Sequence, residues 1–131
     1  MADAKDRPMS PHLQVWRFHI TMTTSILHRI TGVGLYLGAL MGAGWALALA
    51  GGPVRYDDYM RLLGSPLGKF VLFGMTLSMF YHLGQGIKHL FWDMGEGFQL
   101  KTAEFTSWLV IGFTVVASVL TWALAYLTGA L

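Results

Sequence analysis

Three stretches of this chain hold no Asp, Glu, Lys or Arg: 30–54, 70–87 and 105–131. They run to about 25, 18 and 27 residues, and about 20 apolar residues cross a bilayer as a helix. Each is long enough to be a transmembrane helix. Of the 131 residues, 54% are hydrophobic and 12% charged, where a soluble domain carries roughly 25% charged residues. The expected fold is all-α: an integral membrane bundle of three transmembrane helices with an N-terminal cytoplasmic arm.

The chain has no cysteine, which excludes disulfides and cysteine-ligated metal or iron–sulfur centres from it. A net charge of +2 gives no reason to expect nucleic acid. The start, "MADAKDRPMSPHLQVWRFHITM", lacks the basic-then-apolar layout of a signal peptide and the acid-poor composition of a mitochondrial presequence. A bacterial inner membrane is the simplest address, and a processed organellar chain also fits.

Residues 1–24 are expected to form the arm and 25–131 the membrane domain. Arg7-Pro8 and Ser10-Pro11 favour an extended or turned start. Helix one is expected from Ser25 to Ala50, and Gly51, Gly52 and Pro53 break it. A short amphipathic stretch follows, then helix two from Pro66 to Asp93 and helix three from Thr106 to Leu127. Lys5, Arg7, Arg17, Arg29, Lys88 and Lys101 fall on one side of the membrane, and Arg55, Arg61 and Lys69 on the other. The positive-inside bias then puts the N-terminus in the cytoplasm and the C-terminus in the periplasm. Trp92 and Trp108 mark the inner interface, Trp45 and Trp122 the outer one. Gly34, Gly38 and Gly42 form a stripe on helix one; such spacing suits close helix packing, although glycine is also simply common in membrane helices.

Five histidines stand out in so apolar a chain. His12 and His19 belong to the arm, His28 to the inner end of helix one, and His82 and His89 to "FYHLGQGIKHLFWDMG". Counted from Asp93 at about 1.5 Å per residue, His89 lies roughly 6 Å inside the inner boundary and His82 roughly 16 Å, near mid-membrane. Seven residues is close to two turns, so both share a face, and His28 should sit at about the depth of His89. An ionisable group at that depth calls for a partner or a function. One reading is an imidazole hydrogen-bonded between helices. The other is an axial haem ligand at His82, with His28, Arg29 and His89 one haem radius shallower and Gly86 leaving room for a ring edge. A six-coordinate haem needs two ligands, and only one histidine here is deep enough; the second must come from another subunit.

Ser25, His28 and Arg29, in "SILHRITG", fall within an arc of roughly 100°. Arg29 can snorkel and Ser25 can cap the helix start. Together beside the propionate layer, they also suit a quinone headgroup, since a hydroxyl and a guanidinium can hydrogen-bond its carbonyl.

The stretch "RPMSPHLQVWRFHITMTTSILHRITGVGL" resembles the start of the cytochrome b556 membrane-anchor family of succinate dehydrogenase, with its RP-x-SPHL arm and S-I-x-HR-x-TG motif. "YHLGQGIKHLFWDMG" resembles the second signature, H-x-x-x-G-[IL]-[RK]-H-x-x-x-D. The resemblance implies that His82 is the axial ligand of haem b and of its iron, with the other ligand from a second hydrophobic anchor subunit. It implies that His28, Arg29 and His89 surround the propionates and that Ser25 and Arg29 line the ubiquinone site. Lys88 stands where many members have arginine, keeping the charge but not the bidentate geometry, so a propionate contact there is in doubt. The flavoprotein and iron–sulfur subunits would hold the succinate chemistry, and no residue of this chain is expected to be catalytic. Two rivals remain: an anchor working in the fumarate-reducing direction, and a non-redox assembly factor or transporter component. The last predicts no haem, and a transporter would favour acidic residues at mid-membrane, where this chain has none.

Overall fold

The structure is a computed structural model and describes residues 17–129. Most of the expected arm, with His12, lies outside the described residues. Four helices follow in order: α1 (Ile20–Ala50), α2 (Pro53–Gly64), α3 (Pro66–Asp93) and α4 (Leu100–Leu127). Of these, α1, α3 and α4 are long and apolar enough to cross a membrane, as the charge-free stretches predict.

The breaks have local causes. Gly52 adopts φ +93°, open to glycine but strained for other residues, and Pro53 starts α2 at a position where its missing N–H is harmless. Ser65 caps α3 by accepting from the Gly68 amide at 3.1 Å, with Pro66 in the first turn. A Cβ at Gly68 would run into the carbonyls of Leu62 and Leu63, so the α2–α3 corner requires glycine. Between α3 and α4, Gly95 and Gly97 have φ +84° and +82°. Trp92 Nε1 donates to the Gly97 carbonyl at 3.3 Å, and its ring stacks on Phe98 at 5.6 Å.

Two helix starts differ from expectation. α1 begins at Ile20 and not Ser25, and α4 at Leu100 and not Thr106. Charge marks where hydrocarbon ends, but a helix can continue past that edge into the interface. The added turns take part in packing: Thr24 is fully buried, Ala103 nearly so, and His19 lies 3.9 Å from Glu104, bringing together the N-terminal ends of α1 and α4. Ser25 therefore sits inside α1 and does not cap it.

Contacts pair α1 with α3 in opposite directions: His28 meets His82, Gly34 faces Ser78 and Gly38 faces Met75. A Cβ at Gly34 would lie 3.4 Å from Ser78 Oγ and one at Gly38 would overlap the Met75 side chain, whereas Gly42 has open space around it. The glycine stripe thus serves α1–α3 packing at two of its three positions. α3 and α4 also run antiparallel, from Lys88 beside Ala103 to Thr76 Oγ1, which accepts from Trp122 Nε1 at 3.1 Å. The amphipathic α2 folds back on α1 through Tyr59, whose hydroxyl donates to the Met41 carbonyl at 2.8 Å.

The interior is inverted relative to a soluble domain. The buried apolar residues are Tyr81, Ala103 and Val110; the buried polar ones are Thr24, Gln85, Lys88, Ser107, Thr114 and Ser118. Leu40, Leu47, Val116 and Leu120 are exposed. In lipid, apolar side chains gain nothing by turning inward, so helices associate through close packing and hydrogen bonds.

Candidate functional site

The three membrane histidines come together. The His28 ring lies 4.1 Å from that of His82 and 4.8 Å from that of His89, centroid to centroid. His28 therefore sits between the two, touching both, and not simply level with His89 as its sequence position suggests. The separation of His82 and His89 by two turns of α3 leaves a gap that the α1 imidazole fills. Trp92 closes the inner end, 5.3 Å from His89.

Each imidazole has a distinct setting. His82 Nδ1 is 3.3 Å from the Thr31 hydroxyl, and the ring edge lies against α1 at Gly32, where a Cβ would come within 3.2 Å of Cε1. His28 Nε2 is buried and makes no hydrogen bond among the described residues. Beside His82, Gly86 has no neighbour within 4 Å of where a Cβ would stand, so the surface there is open. Ser25 and Arg29 are exposed on α1 and make no side-chain hydrogen bond or ion pair among the described residues.

This donor set fits a haem edge. It offers an imidazole whose Nε2 makes no hydrogen bond among the described residues, a buried nitrogen without a partner among them, open space at Gly86, and a guanidinium on the neighbouring turn. It does not form a self-contained metal cage: no group of three or more His, Asp or Glu among the described residues is set to hold a metal ion. Nor can His28 and His82 clasp a macrocycle from both sides, because rings 4.1 Å apart leave no room for one between them.

Lys88 is turned the other way. Its ammonium is buried against α4, donating to the Ala103 carbonyl at 3.0 Å and to Ser107 Oγ at 2.7 Å, above the Trp92 ring. Sequence reasoning left this role unread, together with Thr24, Tyr81, Gln85 and Ser107. Ser107 Oγ lies 3.5 Å from Thr24 Oγ1, and Tyr81 donates its hydroxyl to the Thr24 carbonyl at 2.8 Å. Their signal is a shared period: 24, 28, 31 on α1, 81, 85, 88 on α3, and 103, 107, 110, 114 on α4 mark single faces. A cavity of about 250 Å³ between α3 and α4 lies on this side, lined by Gly84, Phe91, Val110 and neighbouring apolar groups, with Lys88 already satisfied.

Residues 3–121 match the family model described as succinate dehydrogenase/fumarate reductase transmembrane subunit. The succinate dehydrogenase cytochrome b556 subunit of Rickettsia felis is 38% identical over 117 residues, 88% of this chain and 90% of that one. Its counterpart in Paracoccus denitrificans is 38% identical over 123 residues, covering 92% of this chain and 95% of its own. The mitochondrial succinate dehydrogenase cytochrome b560 subunit of Sus scrofa is 34% identical over 87% of this chain and 69% of its own length. With three helices of spanning length and this extent of match, the chain is a multi-pass membrane protein of the succinate dehydrogenase/fumarate reductase transmembrane subunit family.

Proposed function

We propose that the chain anchors a succinate-oxidising head to the cytoplasmic face of a bacterial inner membrane, binds haem b jointly with a second hydrophobic anchor subunit, and contributes to the site where ubiquinone is reduced. The iron–sulfur and flavoprotein subunits of that head carry the succinate chemistry. The N-terminus is cytoplasmic and the C-terminus periplasmic, as the excess of Lys and Arg on the first side requires.

The observation that carries this reading is the joined histidine face: His28 packed on His82 with an Nε2 unpartnered among the described residues, and open space at Gly86. His82 would hold the haem iron. His28 and His89 would supply hydrogen-bond donors, and Arg29 a donor with positive charge, where the propionates reach the interface, and an uncompensated carboxylate there would be costly. When bound, haem would supply one-electron chemistry next to the quinone site. Ser25 and Arg29, free of partners within the described chain, orient the quinone: hydroxyl and guanidinium donate to a carbonyl oxygen and stabilise the charge that reduction places on it. The apolar exterior around them keeps bulk water from the headgroup.

The test is a dithionite-reduced minus oxidised visible spectrum of the complex purified through a tag on this chain, beside its His82→Ala variant. A b-type band in the native complex that is lost in the variant is expected. An intact native complex with no haem band overturns the cytochrome reading.

A further inference from the structure

Thr31 lies on α1 one turn beyond His28 and faces α3. Its hydroxyl oxygen is 2.9 Å from the Leu27 carbonyl and 3.0 Å from the His28 carbonyl, as well as 3.3 Å from His82 Nδ1. A hydroxyl has one proton and two lone pairs. The helix carbonyls accept that proton, the usual arrangement for Thr within a helix. What the oxygen then presents to His82 is a lone pair, and a lone pair can only accept. The ring nitrogen facing it must carry the hydrogen.

The geometry points to Thr31 as a positioning residue that fixes His82 as the Nδ1–H tautomer, leaves the Nε2 lone pair to the iron, and makes that nitrogen a stronger donor by accepting from Nδ1–H. This rests on the haem reading above. Gly32 completes the fixture: the absent Cβ lets the His82 ring edge lie against the α1 backbone, which limits rotation about its side-chain bonds. A neutral imidazole has two tautomers, and the partner of the other nitrogen decides which one a metal meets. Thr31 is outside the ligand set, so its effect reaches the iron only through the ring.

Ligand basicity and hydrogen bonding are established levers on haem potential. A more basic imidazole favours the oxidised iron, so removal of the Thr31 hydroxyl should raise the midpoint potential. The experiment is a redox titration and a low-temperature EPR spectrum of the oxidised haem in the intact complex, for native protein, Thr31→Val and Thr31→Ser. Valine keeps the shape and loses the acceptor; serine keeps the acceptor. The expected result is an upward shift of the midpoint and a changed EPR spectrum in Thr31→Val, with Thr31→Ser returned to native values. Loss of haem from Thr31→Val alone, with a native-like Thr31→Ser complex, supports the same role. A Thr31→Val complex with native potential and spectrum overturns it, and so does a Thr31→Ser complex that behaves like Thr31→Val. Native complex devoid of haem would instead remove the reading on which this one stands.

Discussion

α3 carries polar groups on two sides, and they are treated in opposite ways. Toward α4 and the start of α1, Tyr81 and Lys88 are buried and bonded to the Thr24 carbonyl, the Ala103 carbonyl and Ser107 Oγ, while Gln85 Oε1, buried on the same face, has no partner among the described residues. Toward the middle of α1, His82 and His89 are half-exposed, His28 Nε2 has no partner among the described residues, and Gly86 opens the surface. The first side holds three helices of one chain together. The second is more open, and it is the side where the proposed haem would sit. On the proposed reading, stability and function occupy separate faces of the same helix.

The largest effect that can break this division is at His82. His82→Ala should abolish the haem absorbance while the chain still accumulates in membranes with its head attached. If the variant chain were degraded, the histidine face would be structural after all. Next come Arg29→Leu and Ser25→Ala on the exposed side of α1. Losing a charge-assisted hydrogen bond costs about 1.5–3 kcal/mol, roughly 10- to 100-fold in rate. Succinate–ubiquinone reduction should fall by that order in Arg29→Leu and less in Ser25→Ala, with reduction of a soluble dye by the head unchanged.

On the closed side the expectation reverses. Ser107→Val leaves the buried Lys88 ammonium with one protein acceptor and should lower resistance of the complex to denaturing detergent by about 1–2 kcal/mol, with native haem spectrum and turnover. Tyr81→Phe removes a single interhelical hydrogen bond and should cost only about 0.6 kcal/mol in the same assay. A shift of the haem band in either variant would join the two faces that the structure separates.

How much of this could be read from the sequence depends on what each residue type excludes. Charge is so disfavoured in hydrocarbon that the gaps between Arg29, Arg55, Lys69, Lys88 and Glu104 locate three spans directly. The helix ends were less legible because a helix is free to run into the interface, as α1 does through Thr21–Thr24 and α4 through Lys101–Glu104. His82 and His89 are conspicuous because imidazole is rare at that depth and seven residues place both on one face. Thr24, Gln85 and Ser107 are not conspicuous singly, since Ser, Thr and Gln are ordinary in membrane helices; only their period across three helices identifies them. The position of Lys88 followed from its charge, but its direction toward α4 depended on which partners α4 offers at that level.

The short connection at 94–99 bears on how such a chain is made. Trp92, Gly97 and Phe98 tie it through contacts within a few residues, and both hydrogen bonds of Lys88 go to α4. The buried Lys88 ammonium is thus hydrogen-bonded to groups of the segment that leaves the ribosome directly after α3. The α3–α4 hairpin carries its own partners for Lys88 within this chain.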